Sequence, residues 1–79
     1  MRLIAIRTGL ECILWSDLSV YIWIGDSCYS VTYQESDRLY EVVYPNENTV
    51  TVPSIRELLY TIREYSGVSM DFWEIEITS

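Results

Sequence analysis

Val20-Tyr21-Ile22-Trp23-Ile24-Gly25-Asp26-Ser27-Cys28-Tyr29-Ser30-Val31-Thr32-Tyr33 is the stretch whose reading settles the architecture. Most of its residues are β-branched or aromatic, types that suit a pleated, half-buried surface. Gly25-Asp26-Ser27 interrupts them with turn formers, so the run reads as two antiparallel strands joined by a hairpin. Taken as a three-residue loop, that tripeptide pairs Ile24 with Cys28 and sets Trp23 opposite Tyr29 and Tyr21 opposite Val31. Val20, Ile22 and Ile24 then share the other face with Cys28, Ser30 and Thr32.

Outward from the hairpin, the polar stretch Gln34-Glu35-Ser36-Asp37-Arg38 leads to a third strand, Leu39 to Tyr44. Aligning Tyr33 with Tyr40 places Val31 beside Val42 and Tyr29 beside Tyr44, giving a row of aromatic and β-branched side chains. Such cross-strand pairs each contribute a few tenths to ~1 kcal/mol. Pro45-Asn46-Glu47-Asn48 is a turn and Thr49 to Val52 a short extended piece. Upstream, Leu3 to Arg7 is expected as a short strand, broken at Thr8-Gly9; Cys12 to Trp15 resumes the apolar run before a Ser16-Asp17 turn.

One helix is signalled over about 54–66. Ser54 and Glu57 have the spacing of a capping box. Ile55, Leu58, Leu59, Ile62 and Tyr65 recur at helical spacing, and Gly67 stands where a left-handed cap belongs. Met70 to Ile77 then alternates, with Trp73, Ile75 and Ile77 on one face and Phe72, Glu74 and Glu76 on the other. The expectation is a single α+β domain over residues 1–79: a mostly antiparallel sheet of four to six strands with one amphipathic helix packed on one face. A helix of that length covers only part of a sheet. Apolar surface is therefore expected to remain for the N-terminal strand, a second copy or another protein.

Charge narrows the function. Twelve carboxylates face five basic side chains, all arginine, with no lysine and no histidine, for a net charge of −7. Yet 49% of the residues are hydrophobic, unlike a disordered acidic tail. Binding to a phosphate backbone draws on clustered lysine and arginine, so nucleic acid is not the expected direct ligand. A basic protein surface is. No apolar stretch reaches membrane-spanning length, and a soluble, cytoplasmic protein is expected.

Catalysis loses its usual agents. Gly25-Asp26-Ser27 matches the nucleophile block of one esterase and lipase family, but a serine nucleophile there requires a histidine base. Cys12 and Cys28 likewise have no imidazole or lysine to activate them, and are expected to be reduced, half-buried strand thiols. They fall short of the four soft ligands of a structural zinc site. Glu74 and Glu76 share a face, but a domain this thin has little room for a sugar groove. No enzyme, cofactor or metal is expected.

What remains is binding. Seven tyrosines and three tryptophans supply the residue types favoured as interface anchors. The expected partner-binding residues are Asp26, Glu35, Asp37, Glu74 and Glu76 as a negative rim, with Tyr33 and Tyr40 as aromatic anchors. Spaced carboxylates can imitate nucleic-acid phosphates and occupy a basic groove, which makes the leading expectation an inhibitor of a nucleic-acid-handling protein. In size, acidity and lack of catalytic groups the chain resembles the phage-encoded anti-CRISPR and anti-restriction proteins, a likeness of type that rests on no shared motif. That likeness implies action in the host cytoplasm. A structural or homodimeric subunit, and an antitoxin or immunity protein aimed at a toxic nuclease, are the alternatives.

Overall fold

Gly25 bends the first hairpin more sharply than a three-residue loop would. In the computed structural model, which describes residues 3–16 and 18–78, Gly25 has φ +63 and forms a two-residue turn with Asp26. A glycine at the first central position of such a turn matches the twist of the flanking strands. Strand β1, Ser19–Ile24, therefore pairs with β2, Ser27–Gln34, as Ile24↔Ser27, Trp23↔Cys28, Ile22↔Tyr29 and Val20↔Val31. That is one residue away from the expected register. Because side chains alternate, the shift moves Tyr21 and Trp23 to the face opposite Tyr29 and Val31. Val20, Ile22 and Ile24 now join the aromatic row of β2, which buries the larger apolar set on a single face.

The next hairpin is as expected. Strand β3, Leu39–Val43, pairs with β2 as Tyr33↔Tyr40 and Val31↔Val42 across Glu35 to Arg38, where Arg38 takes a left-handed φ of 55. Strand β4, Thr49–Val52, follows the Pro45-Asn46-Glu47-Asn48 turn. The last strand, β5, Glu74–Thr78, returns along β1 with Ile22↔Ile75 and Tyr21↔Glu76. All neighbours are antiparallel, in the order β4-β3-β2-β1-β5. The α+β class and the five-stranded sheet agree with the reading of the chain.

The helix layer does not. Residues Leu3–Trp15 form a helix, α1, where two short strands were expected. Leu10 and Leu14 lie one turn apart and are buried, with Ile13 packed beside them. Gly9 costs the helix propensity without ending it, since one glycine disfavours a helix by only ~1 kcal/mol relative to alanine. Ser16 closes α1, its hydroxyl donating to the Cys12 carbonyl at 2.8 Å. Asp17, the other half of the expected turn, lies outside the described residues.

The second helix, α2, spans Ile55–Ser66, where expected. Ser54 Oγ accepts the Glu57 N–H at 3.2 Å, and Gly67, at φ 70, donates its N–H to the Arg63 carbonyl at 2.8 Å. Both helices lie on the same face of the sheet. The core joins Leu10, Leu14, Ile55, Leu58, Leu59 and Ile62 to Val20, Ile22, Tyr29, Val31, Tyr40 and Val42. Between α2 and β5, residues Met70–Phe72 form a short 3-10 turn rather than strand, so Phe72 is exposed on that turn and is not part of the strand that carries Glu74 and Glu76. Trp73 is buried and its Nε1–H donates to the Val68 carbonyl at 3.2 Å.

Candidate functional site

Two helices on one face leave the other face of the sheet uncovered. Strand registers place Thr49, Val43, Ser30, Tyr21 and Glu76 in one row across it. Cys28, Trp23 and Glu74 form a second row, and Thr51, Glu41 and Thr32 part of a third. The open face is thus mostly polar, rich in hydroxyls, with an aromatic and acidic corner at β1 and β5. It is less apolar than a sheet with its aromatic row exposed would be, because that row is under the helices.

The corner is built by strand pairing. Trp23 is 38% exposed, and its Nε1–H donates to Glu76 Oε1 at 2.9 Å, diagonally across the β1–β5 ladder. That bond ties the indole to the carboxylate and orients both. Glu74 sits directly opposite Trp23, about 7 Å from Glu76 along the strand. Burial, and after it the Glu76 carboxylate, push the Cys28 thiol above its ordinary value of 9.0. Less of Cys28 is therefore in the reactive thiolate form than in an unperturbed thiol. Cys12, expected on a strand, is instead exposed on α1.

Charge differs between the two layers: the helices carry both signs, with Glu11, Glu57 and Glu64 beside Arg56 and Arg63. On the open face every charged side chain described is a carboxylate: Glu41, Glu74 and Glu76. The described arginine side chains lie elsewhere, Arg56 and Arg63 on α2 and Arg38 in the β2–β3 turn. Arg56 and Arg63 bracket Tyr60 along a groove of about 630 Å³ floored by Leu59 and Met70. Among the described residues no group of three or more potential ligands could hold a metal ion.

The expected site residues divide into two groups. Glu74 and Glu76 come together with Trp23, and Asp26, in the β1–β2 turn, stands at the same end of the sheet. Glu35 and Asp37 lie in the β2–β3 turn, at the far end. Tyr33 and Tyr40 are on the helix side. Tyr40 is buried and its hydroxyl accepts the Trp15 Nε1–H at 2.9 Å, while the Tyr33 ring lies 4.9 Å from that of Tyr40 and 6.3 Å from that of Trp15. This cluster fastens the end of α1 to β2 and β3. Trp23 and Tyr21, the rings that accompany the acids, were missed because the expected register put them in the aromatic row. The signal for the correct one was the glycine-first dipeptide Gly25-Asp26. No family model, curated protein or solved structure matches the chain, so the use of this face rests on its own residues.

Proposed function

We propose that this protein is a small acidic inhibitor that docks its open sheet face on the basic surface of a nucleic-acid-handling protein. The observation that supports this most is the charge of the open face, where the described charged side chains are all carboxylates, grouped at exposed Trp23 and half-buried Tyr21, while the described arginines lie on α2 and in the β2–β3 turn. A face of one sign steers a partner of the opposite sign and speeds encounter. Trp23 adds the large, pre-oriented ring typical of interface hot spots, already held by Glu76. Such a mode of action is that of inhibitors of the anti-CRISPR and anti-restriction type.

The test is displacement of a labelled oligonucleotide from a panel of purified bacterial nucleic-acid-binding proteins. Wild type should compete with at least one of them, more weakly as salt rises. The double charge reversal Glu74→Lys, Glu76→Lys should reduce competition by at least roughly tenfold, since charge pairs and like-charge repulsion at an interface amount to one or more kcal/mol. Circular dichroism verifies that the variant is folded. Competition that survives the reversal, or a salt-insensitive dimer that displaces nothing, would refute the proposal, and the dimer would favour a structural subunit.

A further inference from the structure

The two edges of the sheet differ in what they offer a partner. β4, Thr49–Val52, is a four-residue edge without a charge, closed directly by Pro53. Shortness and a flanking proline are ways of discouraging strand pairing. Among the described residues, β5 is bordered by β1 on one side and by no strand on the other. Its sequence Glu74-Ile75-Glu76-Ile77 alternates acid and isoleucine, the glutamates on the open face and the isoleucines on the helix side. Ile77 remains 50% exposed there, although its partner Val20 is fully buried. Among the described residues, Ile75 and Ile77 thus form an apolar strip on the helix side of the β5 edge, left open at Ile77.

We infer that the β5 edge is a strand-addition site for an extended segment of the basic partner in which lysine or arginine alternates with apolar residues. Backbone N–H and C=O groups along the edge supply the main-chain bonds of such pairing, and side chains at alternate positions supply the specificity. On the open face the cations of the added strand lie opposite Glu74 and Glu76. On the helix side its apolar residues extend the strip at Ile75 and Ile77. Opposite charges directly across a ladder stabilise it and like charges destabilise it. A second copy of this chain fits badly: antiparallel pairing of β5 with itself, keeping the isoleucines on one side, sets glutamate opposite or diagonal to glutamate. The inference rests on the proposed basic partner and specifies how that partner is gripped.

The experiment uses the full protein and two soluble peptides of identical composition, one alternating lysine with valine and one with the same residues in blocks. Fluorescence anisotropy gives affinity, and amide hydrogen exchange by NMR gives location. The alternating peptide should bind at least roughly tenfold more tightly than its blocked isomer, because only alternation satisfies both faces at once. It should slow exchange at β5 amides, and Glu76→Lys should abolish the preference. Equal affinity for the two peptides, or protection confined to Tyr21 and Trp23 with the β5 amides unchanged, would overturn strand addition. So would a wild-type dimer formed through β5. If the intact basic proteins of the displacement panel bind but the alternating peptide does not, strand addition fails while the inhibitor reading stands; if neither binds, both fail.

Discussion

Gly67 and Glu47 occupy the same left-handed region of backbone space, one at little steric cost and one against a side chain, at φ 70 and φ 72. A Cβ at Gly67 strains the cap of α2, and Gly67→Ala should lower stability by about 1 kcal/mol. Glu47→Gly in the β3–β4 turn should raise it by about 0.5 kcal/mol, the relief of left-handed strain less the added chain entropy of glycine. Urea midpoints of the two variants should therefore move in opposite directions. Cys28 makes a second prediction. Its thiol is raised by burial and by Glu76, whereas Cys12 is exposed on α1. A thiol reagent at mildly alkaline pH should modify Cys12 first and Cys28 several-fold more slowly, because the thiolate is the reactive form. Glu76→Gln should narrow the gap, and equal rates in the native wild type would contradict the arrangement.

Helix α1 was misread because its apolar density is as compatible with strands as with a helix, and Gly9 looks like a stop. The discriminating signal was the spacing of Leu10, Ile13 and Leu14, one helical face. A Cβ built at Gly9 meets nothing within 4 Å, so Gly9→Ala should stabilise the protein by about 0.5–1 kcal/mol, read as a higher thermal midpoint. A loss of stability would mean that this segment is not helical. At the other end of the core, Tyr44 and Tyr65 stack at 4.2 Å with an 11° tilt, and Tyr29 meets both edge-on. This cluster joins the last turn of α2 to β2 and the end of β3. A double-mutant cycle with Tyr44→Leu and Tyr65→Leu should give a coupling of about 0.5–1.5 kcal/mol, and additivity would show that the rings merely share space.

Three tyrosines make stability depend on pH in the alkaline range. Tyr29, Tyr40 and Tyr44 all have pKa values raised above 10.0, in each case chiefly by burial. The neighbouring Tyr65 hydroxyl adds to the rise at Tyr29 and Tyr44, and the Trp15 hydrogen bond partly offsets it at Tyr40. Above pH 10 the unfolded chain releases these protons before the folded one does, so it binds fewer of them and stability falls as pH rises. The stabilisation is complete below about pH 10 and is lost through the higher folded values. A urea midpoint that declines above that pH, with the decline blunted in Tyr29→Phe, is the expected result. At neutral pH the same rings stay uncharged, which leaves the acidic corner at β1 and β5 as the electrostatic feature of the open face.

Helix α2, its two caps, the β2–β3 register and the alternation of β5 were legible along the chain, because each arises from interactions among residues close in sequence. Capping and turn chemistry act over three or four positions, and alternation is a property of any strand with one buried face. The state of residues 3–15 and the faces of Tyr21 and Trp23 were not legible. Both depend on which apolar surfaces meet: Leu10 and Leu14 are buried against β1, β2 and α2, and a one-residue change at Gly25 turns a whole strand over. Distance along the chain likewise misjudged the acids. Folding gathers Glu74 and Glu76 beside Trp23 and sends Glu35 and Asp37 to the opposite end, since strand pairing, a long-range interaction, sets who neighbours whom.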